Sequence, residues 1–182
     1  MGDSFRSHIG ITLHLFDALI KPILMYMSDF WGGLPPIEDK KNPIEKFHYM
    51  VCKQILGVQK QTTNIGVLLE LGRLPIKMFA IKSAIKNWER IRIGKINDIL
   101  KSNHTTALTD NLPWITHIKS VLRNHNININ NSNLARPRKH PHIHKILHKI
   151  QVEEFYQNAF ETMANPESQL RTYSLFKKEI GC

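Results

Sequence analysis

The chain has 182 residues, 42% of them hydrophobic, with 9 Gly, 9 Pro and 2 Cys, which is enough for one domain, or one domain plus an appendage, and argues against a disordered or collagen-like chain. Two cysteines, Cys52 and Cys182, cannot build a disulfide framework or a cysteine-type zinc site, so a reducing, intracellular setting (nucleus or cytoplasm) is the expectation. Lys plus Arg number 25 against 15 Asp plus Glu, and the excess is local: residues 1–60 net +1, 61–110 +4, 111–150 +7 and 151–182 −2. Six of the ten His also lie in 111–150. A basic block of this kind points to a polyanionic partner, most often nucleic acid.

Strand signals are nearly absent, and helical spacing predicts an all-α fold, a helical bundle with a helical C-terminal extension. The most apolar stretch, Ile9 to Trp31, is interrupted by His14, Asp17, Lys21 and Asp29 and does not read as a membrane span. It predicts a first helix from about Ile11 to Phe30, kinked at Pro22 and stopped by Gly32-Gly33. Asn42, Pro43 and Glu45 open a second helix that ends at Gly57. Its apolar face would hold Ile44, Phe47, Val51 and Ile55, with Cys52 on the adjoining row as a core residue. Thr62-Thr63 can cap a short helix through Leu71, ended by Gly72.

Pro75 opens a longer helix closing at Gly94, with Met78, Ile81, Ile85 and Trp88 on one side. Lys77, Lys82, Lys86, Arg90 and Arg92 are on the other, a distribution suited to lying between a core and a phosphate backbone. Short helices follow at Ile96–Lys101 and Pro113–His125. Asn124 to Asn133 contains six Asn in ten residues and reads as a tether, and Arg136-Pro137-Arg138-Lys139-His140-Pro141 as an extended basic segment. Helices from His142 to Ala164 and from Glu167 to Ile180 complete the chain, the last with Leu170, Tyr173, Phe176 and Ile180 inward. The divisions expected are a helical domain at 1–123, a linker at 124–140 and a C-terminal helical segment at 141–182.

No catalytic constellation is legible. Tyr26-Met27-Ser28-Asp29 has one carboxylate where two-metal chemistry needs adjacent ones, and phosphate-cradling glycine loops are missing. His144 and His148 have a metal-compatible spacing, but no acidic residue lies in 111–150 to join them, so neither a metal nor a cofactor is expected. The phosphate-binding candidates are Arg136, Arg138, Lys139, Lys145 and Lys149 first, then Lys82, Lys86 and Arg90.

Three blocks carry a resemblance. Leu15-Phe16-Asp17-Ala18-Leu19-Ile20-Lys21-Pro22-Ile23-Leu24 runs on to Phe30-Trp31-Gly32. Ile44-Glu45-Lys46-Phe47-His48 runs on to Ile55-Leu56-Gly57-Val58, and Thr63-Asn64 leads to Leu69-Glu70-Leu71-Gly72-Arg73-Leu74-Pro75. In this order and spacing they resemble the region after the palm in reverse transcriptases of LINE-type (non-LTR) retrotransposons, over about residues 11–93. The element Leu170-Arg171-Thr172-Tyr173-Ser174-Leu175-Phe176-Lys177 is similar to the continuation there. The resemblance implies a helical thumb packed beside a catalytic palm and gripping a template–primer duplex. It implies as partners an RNA–DNA hybrid or RNA and the palm and fingers of a parent polymerase. The paired catalytic Asp residues of that palm are absent, so the chain is expected not to be an enzyme on its own. Two other readings stand beside this one: a helical protein-interaction module, and a truncated remnant without function.

Overall fold

A computed structural model describes residues 2–35, 41–93, 98–127 and 142–165, and no strand occurs among them. The all-α expectation holds for these residues. The elements are α1 (Gly2–Leu15), a π-turn (Phe16–Ile20), α2 (Lys21–Leu24), α3 (Ser28–Trp31), α4 (Pro43–Leu56), α5 (Asn64–Glu70), α6 (Ile76–Ile93), α7 (Asp98–Thr109), α8 (Pro113–Asn124) and α9 (Ile143–Ala164). The Asn-rich tether, most of the basic segment and the last expected helix lie outside the described residues.

Local chemistry explains the ends. Asn42 Oδ1 accepts the Ile44 and Glu45 N–H groups at 3.0 and 3.4 Å, and Pro43 occupies the first turn of α4, where its missing N–H costs nothing. Gly57 closes α4 at φ +66°, with the Val58 N–H on the Lys53 carbonyl and the Gly57 N–H on that of Gln54. Gly72, at φ +60°, does the same after α5, and Asn111 and Asn126 close α7 and α8 in the left-handed conformation. Thr63 stands at the N-cap of α5, but its hydroxyl makes no cap hydrogen bond, contrary to the expectation.

The first helix also differs from expectation. It starts at Gly2, and the chain does not bend at Pro22 alone. In an α-helix the Pro22 ring would strike the carbonyl four residues back. The turn before it widens instead, the Lys21 N–H bonding the Phe16 carbonyl in π geometry. Helix α2 then ends, and Met27, at φ +53°, separates it from α3. Helix α7 runs from Asp98 to Thr109, well past the Ile96–Lys101 expected.

The chain groups into two compact units. The first comprises Met1–Tyr26, Ile37–Ile76 and Glu153–Cys182. In it Tyr49 and Cys52 of α4 pack on Val67 and Leu68 of α5, while Leu69 meets Ala159 and Met163 of α9. The buried face of α4 is Glu45, His48, Tyr49 and Cys52, so the expected stripe of Ile44, Phe47, Val51 and Ile55 is corrected: Phe47 is exposed and the other three half-buried. Rotation about the helix axis is decided by what α1 and α5 offer as packing partners, which periodicity cannot reveal.

The second unit comprises Met27–Pro36 and Lys77–Val152. Its core joins Ile85 and Trp88 of α6, Ile118 and Leu122 of α8, and Ile143 and Leu147 of α9. Gly32 and Gly33 serve this unit by their smallness as well as by ending a helix. A Cβ on Gly32 would stand 2.3 Å from the Ala80 carbonyl oxygen, and one on Gly33 would stand 2.1 Å from Trp114 Nε1, which itself donates to the Phe30 carbonyl at 2.9 Å. Gly32→Ala is therefore expected to destabilise the chain by about 1–3 kcal/mol, because it meets backbone that cannot rotate away. Urea unfolding with an unchanged midpoint would refute this.

Candidate nucleic-acid interface

The apolar spacing that builds the second core also sets where its cations go. Ile85 and Trp88 turn α6 inward, which leaves Lys86 and Arg90 exposed and Lys82 half-buried at the margin. Steps of four residues advance about 6 Å along a helix, so these three side chains form one row. On α9, Ile143 and Leu147 face inward, and Lys145 and Lys149 are exposed. Helix α8 adds two cations that sequence reasoning missed, the half-buried Lys119 and the exposed Arg123, along one flank of its buried Ile115, Ile118 and Leu122. The signal for them was present: an i, i+4 basic pair flanking the apolar face of the helix. Arg136, Arg138 and Lys139 lie outside the described residues.

Three helices around one core thus each present a basic pair or row. No ion pair among the described residues involves Lys82, Lys86, Arg90, Lys119, Arg123 or Lys145. The segments of this unit carry 14 Lys and Arg against 4 Asp and Glu, a net of +10. The segments of the other carry 11 against 11. The whole formal charge excess of the protein therefore belongs to one unit.

One of the four acidic residues there, Glu89, is buried and structural. Its Oε1 accepts the Ile143 N–H at 2.6 Å, and its Oε2 accepts from Nδ1 of the buried His144. A carboxylate from α6 thereby caps the N-terminus of α9, where free N–H groups and the helix dipole favour an anion. His144 is thus a packing residue held by an acid 55 positions away.

In the first unit the three resembling blocks meet around Phe16. Arg73 Nη1 bonds Asp17 Oδ1 at 2.6 Å, Nη2 bonds the Leu13 carbonyl at 3.1 Å, and the guanidinium lies 5.9 Å from the Phe16 ring centroid. His48 stacks on Phe16 at 5.6 Å, and its Nδ1 lies 3.8 Å from Glu45 Oε2. The Leu71-Gly72-Arg73 turn supplies the geometry: Gly72 reverses the chain, and Arg73 emerges toward α1 and the π-turn.

Partial burial raises the Asp17 pKa, but the hydrogen bond and charge of Arg73, with Lys21 and His14, outweigh it and hold the carboxyl below its ordinary 3.8. A depressed folded pKa contributes stability above the unfolded value and loses it as pH falls through the folded one. Asp17→Asn should therefore destabilise at pH 7, with the gap to wild type closing in acid. A urea midpoint difference independent of pH would contradict this.

Burial raises the Cys52 thiol to about 11, with Glu45 and Asp17 adding to the rise and Arg73 opposing it. At 2% exposure it is a core thiol, as expected from its place on α4. In a Cys182→Ser background the folded protein should not react with a thiol reagent at pH 7.5, and should react fully in denaturant. Rapid native labelling would show an accessible, activated sulfur instead.

Among the described residues no group of three or more His, Cys, Asp or Glu is placed to hold a metal ion, and no helix is long and apolar enough to cross a membrane. Comparison with protein-family models, with curated proteins and with solved structures finds no match.

Proposed function

We propose that the chain is a thumb and post-thumb portion of a LINE-type reverse transcriptase, and that its own capacity is sequence-tolerant binding of RNA–DNA hybrid or RNA through phosphates. The observation that carries the binding is the set of Lys82, Lys86, Arg90, Lys119, Arg123 and Lys145, arranged on three helices around one core without an ion pair among the described residues. Cations so placed exchange the condensed counterions of a polyanion for themselves. The ordered blocks that meet at Phe16 support the family reading. Palm and fingers would come from a parent polymerase, catalysis would be theirs, and the setting would be intracellular.

The test is binding of the purified chain to a labelled RNA–DNA hybrid across a salt titration. Four to six phosphate contacts give a linear fall of log affinity with log salt of slope about −4 to −5. No binding at low salt by a chain that melts cooperatively would reject the nucleic-acid reading.

A second reading, a helical interaction module, is favoured by one observation. Ile11, Leu15, Leu19 and Ile23, each at least half exposed, form an apolar row along α1, the π-turn and α2, with the exposed Tyr26 just beyond it. Trp88, by contrast, is buried, and Trp31 and Trp114 are half-buried.

A further inference from the structure

Helices α1 and α2, with the π-turn between them, are apolar on two faces. One face is seated: Phe16 is buried, with Ile9, Leu13, Ile20 and Leu24 half-buried along the same line. The other is exposed, with Ile11 57%, Leu15 51%, Leu19 63% and Ile23 73% exposed, and Tyr26, two residues past α2, 75% exposed. A surface helix normally carries one apolar stripe, and a helix that is apolar on both sides is usually covered on both.

We propose that a second copy of this chain covers the row, in a two-fold symmetric contact of α1–α2 against α1–α2. Two observations point to that occupant. The first is area. Each of these side chains offers on the order of 100 Å², so the row presents roughly 500 Å² per copy and about 1,000 Å² in a symmetric pair, the lower bound for a specific contact. The second is charge. The segments of the unit that bears the row hold 11 basic and 11 acidic residues, so two copies meet there without net repulsion. The strongly basic segments belong to the other unit.

An interface of this size belongs to the weak, reversible class. Sedimentation equilibrium of the full chain, without nucleic acid, should show a monomer–dimer equilibrium with a micromolar Kd. Leu19→Glu combined with Ile23→Glu should abolish it while leaving the helical circular dichroism unchanged, since both side chains are exposed. A wild-type chain that is monomeric throughout overturns the proposal and leaves the row to another segment of the chain or to a different protein. A dimer that survives the double substitution, or open-ended association, overturns it equally. The outcome is independent of hybrid binding, which uses side chains of the other unit.

Discussion

Lys86→Glu, Arg90→Glu and Lys145→Glu together are expected to weaken binding to an RNA–DNA hybrid by at least about 100-fold at low salt and to flatten the salt slope by about 3. Each lost phosphate contact removes about 0.9 from the slope, and each exposed contact contributes about 1 kcal/mol after screening, so three amount to about two decades in Kd. All three side chains are exposed and none is in an ion pair among the described residues, so the folded chain should tolerate the change. The informative control reverses Lys46 and Lys60, which are exposed on segments of the neutral unit. If bulk charge alone attracted the polyanion, that control would flatten the slope in proportion. If the helices around the second core make the contacts, it should change affinity only slightly. Equal effects of the two sets would dissolve the interface.

Glu89→Ala is the substitution expected to cost the most stability. It leaves the buried Ile143 N–H and the buried His144 Nδ1 without their acceptor and opens a gap beside them. Breaking a buried charge-assisted pair from one side typically costs about 3–5 kcal/mol. In a chain of this length, a loss of about 3 kcal/mol lowers Tm by roughly 6–12 °C. Glu89→Gln keeps one acceptor but turns an amide N–H toward a donor, and should fall between alanine and wild type. His144→Ala, which leaves the Ile143 N–H capped, should also cost less than Glu89→Ala. A loss below about 0.5 kcal/mol for Glu89→Ala would mean that α9 is seated by its apolar contacts alone.

The candidate interface was partly legible in advance. Lys82, Lys86, Arg90, Lys145 and Lys149 follow from apolar spacing, because wherever Ile85 or Leu147 turns inward, residues around the opposite face turn out. Lys119 and Arg123 flank the apolar face of α8 and went unread because the short helix that carries them has no long basic run to draw attention. Glu89 could not be identified from neighbouring residues at all. Its partners are 54 and 55 positions away, and on α6 alone it looks like an ordinary surface acid.

The sequence by itself determined what depends on a few consecutive residues. Asn42 and Pro43 start α4, and Gly57 and Gly72 end α4 and α5, because capping hydrogen bonds and positive φ are local requirements. The all-α class and the basic middle of the chain follow in the same way from spacing and composition. Tertiary structure alone decided which face of α4 is buried, where Arg73 and His48 meet Phe16, and that the segments of one unit hold the whole charge excess while those of the other balance to zero. Each of these depends on side chains tens of residues apart competing for the same buried surface, and helical periodicity records that a face is apolar without recording what it will meet.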